Sequence, residues 1–389
     1  MSDVLSAAEL ARFDRHIILP QVGLEGQEKL KQARVLCVGT GGLGSPIALY
    51  LSAAGVGTLG LVDFDVVDDS NLQRQIAHST ADIGRPKVES ARDTLIGINP
   101  HLQVNLYGEG IRRDNVREIV SQYDLVVDGT DNFPTRYLVN DACILEDKPL
   151  IYASIFQFEG QATVFNYGVG DERGPCYRCL YPEPPPPGLV PSCAEGGVLG
   201  VLPGVIGVIQ ATEAVKIILN QGNTLSGRLL LYDAMDMRFR EHRLRKDPLC
   251  PACGDNPSIG DVTEYEQFCG LPPTETAEQE EAVAEDEITP IALQTMKIAN
   301  PDVFVLDVRE PYEIGICAIN GSVKIPLDQI AERYLEVPQD QDVVVHCKSG
   351  FRSAQVVAYL QSMGYSRVKN LNGGILRWID DVDDSLNKY

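Results

Sequence analysis

The sequence predicts an α/β protein with a mostly parallel sheet in a large first domain and a second, smaller α/β domain after it. Short apolar segments alternate with helical patterns along the chain of 389 residues, which is typical of parallel sheets. A glycine-rich segment joins the first apolar segment to the first helical pattern, as in folds that bind phosphates. An acidic segment without aromatic residues divides the two domains.

The first predicted strand is Arg34–Val38, and the helix after it has apolar residues at positions 47, 50, 51 and 54. Two more strands, residues 59–62 and 125–127, lead into Asp63 and into the Asp131-Asn132 pair. Ligands bind at the carboxyl ends of parallel strands, so we expect these acidic residues to face a ligand.

Two matched cysteine pairs further along the first domain have the spacing of zinc knuckles. Cys176 and Cys179 form one pair, and Cys250 and Cys253 form the other. Four thiolates close a tetrahedral cage around Zn²⁺ and leave no open position, so the predicted metal is structural. Two disulfides or two redox dithiols are the alternatives. We favour zinc because the sequence is typical of a protein from a reducing compartment, in which thiols stay reduced.

The predicted domains are residues 1–260 and 288–389, joined by an acidic linker at 261–287. A net charge of −22 argues against nucleic acid and against an anionic membrane surface as partners. The N-terminal residues have no apolar core of a signal peptide. Residues 198–209 are apolar but interrupted by glycine and proline, which indicates a buried helix. Ten cysteines without a secretion signal lead us to expect a cytosolic protein.

The glycine-rich segment, residues 39–44, lets the backbone approach a phosphate at a helix N-terminus. The same pattern occurs in NAD enzymes, in which Asp63 or Asp65 would hold a ribose. Arg74 and Lys87, each of which alone would be typical of a solvated surface, favour ATP when they occur together with the strand-end acids. Nucleotidyl transfer builds negative charge on phosphates, whereas hydride transfer does not.

These motifs together resemble the ubiquitin-activating-enzyme-like adenylyltransferases, in particular the MoeB and ThiF branch. The segments are GTGGLGS, DFDVVDDSNLQRQ, GRPKVESA, DGTDN and the cysteine pairs, within about residues 8–260. The resemblance implies a Rossmann-like fold that adenylates the C-terminal Gly-Gly carboxylate of a small ubiquitin-fold sulfur carrier protein. The ATP site that it implies comprises Gly41, Gly42, Asp63, Ser70, Asn71, Arg74, Lys87, Asp131 and Asn132.

The resemblance also assigns roles. Asp131 would hold Mg²⁺ or position the reacting carboxylate, and Arg74 would act on the phosphates. Arg15 is similar to a family arginine that reaches into the neighbouring subunit's site, which implies a homodimer. Cys193 follows a proline-rich segment, residues 181–191, and either acts directly on the activated acyl group or is a buried small residue.

The second domain contains a thiol loop between a strand and a helix. Cys347 and Arg352 are separated by four residues, one fewer than in cysteine phosphatases, which fits a single sulfur atom. Backbone amides and Arg352 would stabilise an anion on that sulfur. With DVRE, GSVKIP and GGILRW the domain resembles a single-domain rhodanese, which implies a persulfide on Cys347. An inactive docking domain is the alternative, and Cys317 is predicted to lie in the core.

The two domains together predict one reaction sequence, in which a carboxylate is activated and sulfur is then delivered to it. Expected cofactors are ATP, Mg²⁺ and Zn²⁺, and expected sulfur donors are a cysteine desulfurase or thiosulfate. The resemblance extends to fused adenylyltransferase and sulfurtransferase proteins of molybdopterin, thiamine, cysteine or tRNA-thiolation pathways. An NAD-dependent oxidoreductase, a ubiquitin-like conjugation activator and a non-enzymatic scaffold remain alternatives.

Overall fold

A computed structural model describes residues 4–168, 173–185, 196–263, 265, 286–300 and 303–389. The chain divides into two compact units, Met1–Thr274 and Glu275–Tyr389. Most of the predicted linker, 261–287, and the candidate thiol Cys193 lie outside the described residues. The predicted α/β fold class is confirmed in both units.

The first unit contains one eight-stranded sheet in the order β3-β2-β1-β4-β5-β6-β7-β8. Its strands are β1 Arg34–Val38, β2 Thr58–Val62, β3 Gln103–Tyr107, β4 Leu125–Asp128, β5 Leu150–Phe156, β6 Glu159–Phe165, β7 Arg228–Asp233 and β8 Arg238–Arg243. Strands β1 to β5 pair in parallel, and β5 to β8 pair antiparallel. The sequence patterns predicted a mostly parallel sheet, and they did not indicate that strands β6 to β8 run antiparallel.

Helices cover both faces of this sheet, and the alternation along β1 explains why. Val35 and Cys37 belong to one buried cluster, whereas Leu36 and Val38 belong to another. Successive strand residues point to opposite faces, so a strand that is apolar throughout is buried on both sides. The helices are α1 Ala7–Arg12, α2 Asp14–Ile17, α3 Gly23–Gln32, α4 Gly44–Ala54, α5 Lys87–Ile98, α6 Val116–Ser121, α7 Phe133–Leu145, α8 Tyr177–Leu180 and α9 Leu202–Leu219.

Helix α9 is long and apolar enough to cross a membrane by length and composition alone, but half of its residues are buried inside the protein. Its fully buried Gln210 donates hydrogen bonds to the carbonyl oxygens of Asp128 and Ile151, at 2.7 and 3.2 Å. These bonds attach the helix to β4 and β5, as in the core helix of a globular domain. The sequence placed this helix at residues 198–209, somewhat before its observed start.

The second unit contains a five-stranded sheet in the order β11-β10-β12-β13-β9, with all pairs parallel. The strands are β9 Glu287–Ile288, β10 Phe304–Asp307, β11 Val323–Lys324, β12 Val343–His346 and β13 Val368–Leu371. The helices are α10 Pro290–Ala299, α11 Pro311–Ile314, α12 Ile330–Arg333, α13 Phe351–Ser362 and α14 Gly374–Asp381. The central strand β12 is fully buried and leads directly to Cys347.

Candidate functional site

A cleft of about 980 Å³ opens at the carboxyl ends of β1, β2 and β4. Strand β1 lies between β2 and β4, so the cleft lies where the order of strands along the sheet reverses, the usual ligand site of such sheets. The predicted residues that line it are Gly41, Gly42, Asp63, Arg74, Lys87, Asp131 and Asn132.

The glycine loop is held tightly against the end of β2. A Cβ atom on Gly44 would lie 2.0 Å from the carbonyl oxygen of Gly39, so only glycine allows the helix to start there. The backbone amide and the hydroxyl of Thr40 donate to one oxygen of Asp63, at 2.8 and 2.9 Å. Asp63 therefore fixes the loop in addition to lining the cleft.

The two predicted cations differ in their surroundings. Lys87 is buried, at 5% exposure, and its ammonium group lies 2.8 Å from a carboxylate oxygen of Asp65. Arg74 is half-buried and donates to the carbonyl oxygen of Ser70 at 3.1 Å. Ser70 lies in the 3₁₀ turn Asp69–Asn71, and neither it nor Asn71 lines the cleft.

Asp131 and Asn132 follow β4 and line the cleft at the end of that strand. The Asn132 side chain caps helix α7 by accepting the backbone N–H of Thr135 at 3.0 Å. Asp131 is exposed and makes no hydrogen bond or ion pair with any other residue that the structure describes. Its carboxylate oxygens are therefore free to bind a ligand or a metal ion.

Two cleft residues were missed by the sequence analysis. Arg136 is 7% exposed and donates to the carbonyl oxygen of Thr130 at 2.8 Å, and its Nε has no hydrogen-bond partner among the residues that the structure describes. The side-chain oxygen of Gln75 is likewise buried without a partner. Burial raises the pKa of the neighbouring Asp128. Arg136 lies one helical turn beyond the cap at Asn132, and that spacing is the signal that would have found it.

The four predicted zinc ligands come together in the structure. Their sulfur atoms all lie within 4.8 Å of one another, with Cys176 and Cys250 at 3.5 Å and Cys179 and Cys253 at 3.4 Å. Zn–S bonds of about 2.3 Å place tetrahedral sulfurs about 3.8 Å apart, whereas a disulfide would need about 2.05 Å. The cluster therefore fits a metal ion and does not fit disulfides.

Replacing Cys179 with serine should release metal and lower the melting temperature by several degrees, because zinc binding is coupled to folding. Metal analysis by inductively coupled plasma mass spectrometry and differential scanning fluorimetry would measure both effects. Cys143, a buried cysteine outside the cluster, gives the matched control when replaced with serine. An absence of zinc from the untreated protein, or full retention after both pairs are removed, would overturn the assignment.

The first knuckle is bound to helix α7. The backbone N–H of Tyr177 donates to the side-chain oxygen of Asn140 at 2.8 Å. Arg178 forms a buried bidentate ion pair with Asp141, with distances of 2.8–3.2 Å. The same helix begins next to Asn132 in the cleft, so the cysteine cluster and the cleft share one rigid element.

In the second unit, Cys347 lies at the end of β12 and is 1% exposed. Its sulfur accepts the backbone N–H of Gly350 at 3.2 Å and the hydroxyl of Ser353 at 3.4 Å. The carbonyl oxygens of Cys347 and Lys348 do not face the Cys347 sulfur, because they accept N–H groups from the start of helix α14. Gly374 allows this approach, since its Cβ atom would lie 2.5 Å from the Lys348 oxygen.

Arg352 lies near this loop, but its guanidinium group is already paired. It donates to both carboxylate oxygens of Glu313, at 2.6 and 2.7 Å. Burial would raise the pKa of Glu313, but the Arg352 bonds outweigh this and hold it below its usual value. Burial also lowers the pKa of His346 to about 4, so that side chain is neutral near pH 7.

Besides Ser70 and Asn71, two more predicted residues have no observed place in these sites. Arg15 is exposed on helix α2 and does not line the cleft of its own chain. Cys193 lies outside the described residues. Cys317 is buried in the core of the second unit, as predicted.

The fold and the two sites define a nucleotide-binding α/β enzyme joined to a sulfur-transfer domain. The ThiF family model matches residues 13–252, and the rhodanese-like domain model matches residues 289–381. The chain belongs to the ThiF family and carries a C-terminal rhodanese domain.

Relatives over the whole chain have the same two parts. A probable adenylyltransferase/sulfurtransferase MoeZ of Mycobacterium tuberculosis is 47% identical, covering 100% of this chain and 97% of its own length. The adenylyltransferase and sulfurtransferase MOCS3 of Aedes aegypti is 41% identical, covering 99% and 90%. A sulfur carrier protein adenylyltransferase of Thermus thermophilus is 54% identical over 68% of this chain and 97% of its own.

Solved structures agree on the fold of the first unit. A crystal structure of PaaA gives a TM-score of 0.53 at 25% identity, covering 64% of this chain and 77% of its own. A crystal structure of E. coli MccB with AMPCPP and MccA gives a TM-score of 0.54 at 22% identity, covering 62% of this chain and 74% of its own. This protein is therefore an adenylyltransferase and sulfurtransferase of the MoeZ and MOCS3 type, and its family implies the use of ATP.

Proposed function

We propose that the enzyme adenylates the C-terminal Gly-Gly carboxylate of a small ubiquitin-fold sulfur carrier protein and then converts that carboxylate to a thiocarboxylate. The observation that carries this proposal is that one chain contains both a phosphate-type cleft with an exposed carboxylate and a buried thiol that accepts a backbone N–H and a serine hydroxyl. The likeness to the Thermus relative, a sulfur carrier protein adenylyltransferase, supports the choice of substrate.

In the first step a carboxylate oxygen of the carrier attacks the α-phosphorus of ATP, and pyrophosphate leaves. Negative charge increases on the phosphates in the transition state, and the buried Lys87 and the half-buried Arg74 stabilise it. Asp131 would hold Mg²⁺, which neutralises phosphate charge when bound. Arg136 and Gln75 have unpartnered polar atoms with which to orient the two substrates.

In the second step the terminal sulfur of a Cys347 persulfide attacks the acyl carbon and AMP leaves. The product is an acyl disulfide that joins the carrier to Cys347. A second thiol, from Cys193 or an external reductant, then attacks the Cys347 sulfur and releases the thiocarboxylate. That attack leaves a disulfide, which an external thiol reduces. The covalent fusion of the two domains raises the effective concentration of the persulfide at the adenylate.

We further propose a homodimer in which Arg15 reaches the partner's cleft, because Arg15 is exposed and outside the cleft of its own chain. Mixing an Arg15→Ala variant with an Asp131→Ala variant tests this, since one intact site forms per mixed dimer. No recovery of activity in the mixture would exclude a shared site. We also place the enzyme in the cytosol, with Zn²⁺ as a structural ion and a cysteine desulfurase or thiosulfate as sulfur donor.

The test combines two measurements with purified protein, ATP, Mg²⁺ and a carrier that ends in Gly-Gly. Pyrophosphate exchange into ATP should depend on the carrier, and a carrier lacking its last glycine should not support it. With thiosulfate and a reductant present, mass spectrometry should show one carrier oxygen replaced by sulfur. A carrier that is adenylated but never gains sulfur would refute the second half alone.

The same assay separates the alternatives. Tight NADH binding without pyrophosphate exchange would identify an oxidoreductase. A stable carrier thioester on Cys193 would identify a conjugation activator. The absence of any turnover with ATP and carriers would identify a scaffold.

A further inference from the structure

Tyr389 contacts the sulfur-transfer site from outside the residues that the rhodanese model matches. Its hydroxyl accepts a hydrogen bond from Arg309 at 2.7 Å and donates one to Glu313 at 3.1 Å. The face of its ring lies 4.8 Å from the ammonium nitrogen of Lys348, the residue that follows Cys347. The Tyr389 side chain therefore contacts the Lys348 ammonium group directly. It also bonds to Glu313, the carboxylate that pairs with Arg352.

The two loop cations differ in how far their charge is compensated. Arg352 is neutralised by its bidentate pair with Glu313. Lys348 is half-buried, and its ammonium group has no hydrogen bond or ion pair with any residue in the described part of the chain. The cation–π contact with the Tyr389 ring is the interaction that the described residues provide for this ammonium group. The Lys348 ammonium group is thus the positive charge of the loop that no anion among the described residues compensates, and it is the one that lies against the Tyr389 ring.

We propose that Tyr389 is a positioning residue of the sulfur-transfer site, which holds the Lys348 ammonium group in the Cys347 loop and so favours anionic sulfur donors such as thiosulfate. A lysine side chain has four rotatable bonds, and without a contact its charge is distributed over a wide volume of solvent. A cation–π contact restricts that volume. The hydroxyl bonds to Arg309 and Glu313 fix the ring from its other end.

The charge at Cys347 is measured directly by comparing its alkylation by iodoacetate, an anion, and by iodoacetamide, a neutral analogue. Peptide mass spectrometry follows Cys347 separately from the other cysteines. Tyr389→Leu removes ring and hydroxyl, whereas Tyr389→Phe keeps the ring. We expect the ratio of the two rates to fall about 2- to 5-fold in Tyr389→Leu and to change little in Tyr389→Phe. The KM for thiosulfate should rise by a similar factor in Tyr389→Leu, with kcat affected less.

Two further variants separate positioning from stability. Tyr359→Leu is the matched control, because Tyr359 is a half-buried tyrosine of the same unit whose ring contacts Tyr334. In a Lys348→Met background, Tyr389→Leu should cause no further change in the ratio, because the charge that it positions is gone. Lys348→Met also tests the proposal if Tyr389→Leu fails to fold, since it alone should lower the ratio.

Three results would overturn the proposal. Equal slowing of both reagents in Tyr389→Leu would mean that Tyr389 only stabilises the fold. Equal loss in Tyr389→Phe and Tyr389→Leu would assign the effect to the hydroxyl and not to the ring. An unchanged ratio in Lys348→Met would show that Lys348 does not supply the charge.

Discussion

Replacing Asp131 with alanine should reduce carrier-dependent pyrophosphate exchange at least about 100-fold, because it removes the carboxylate that would hold the charge-neutralising Mg²⁺. The reason is positional, since Asp131 lines the cleft and its carboxylate has no partner among the described residues. Because no internal contact is lost, folding and metal content should remain those of the unchanged protein. Exchange of labelled pyrophosphate into ATP measures the activity, and circular dichroism measures the fold.

Two further variants give this experiment its controls. Asp131→Asn keeps the size of the side chain and removes its charge, so a loss similar to that in Asp131→Ala would identify charge as the cause. Asp114→Ala removes an exposed aspartate that does not line the cleft, and it should leave exchange unchanged. Undiminished exchange in Asp131→Ala would remove this residue from the mechanism.

Replacing Cys347 with alanine should abolish transfer of sulfur from thiosulfate to cyanide while pyrophosphate exchange continues. The nucleotide cleft is built from strand ends and helices of the first unit, so adenylation has no need of the thiol. Thiocarboxylate formation on the carrier should fall steeply, but free sulfide added in excess should restore part of it by attacking the acyl adenylate directly.

The matched control is Cys317→Ala, which removes another buried cysteine of the same unit. It should keep sulfur transfer. If Cys347→Ala stops pyrophosphate exchange in a folded protein, the two activities are not separable and the proposed sequence of steps is wrong. If it leaves sulfur transfer intact, another thiol carries the sulfur.

Features that depend on short sequence patterns were predicted closely. Strand β1 was placed at its observed bounds, and the carboxyl-end aspartates were expected at a ligand edge because strand direction alone determines that edge. The cysteine pairs were expected to meet, and they do so across 74 residues of sequence, because a thiolate cluster specifies its own geometry. In each case the informative residues are adjacent or regularly spaced.

Features that depend on tertiary packing were not predicted. Whether Arg352 faces sulfur or a carboxylate depends on Glu313, which is 39 residues away. The burial of Arg136 depends on aromatic rings of other elements, including Tyr152 on β5. The antiparallel strands β6 and β7 are partly as apolar as the parallel strands, and strand direction is set by how the chain returns to the sheet.

The attachment of the cysteine cluster to helix α7 affects how this enzyme must be assayed. Asn140 and Asp141, within helix α7, bind the residues of the first cysteine knuckle. Asn132 caps the N-terminus of the same helix, next to Asp131. If the cluster holds zinc, we expect a chain without the ion to lose the anchor of that helix and, with it, one wall of the nucleotide cleft. Turnover expressed per mole of polypeptide would then mix competent and incompetent molecules, whereas turnover expressed per mole of bound zinc would stay constant between preparations.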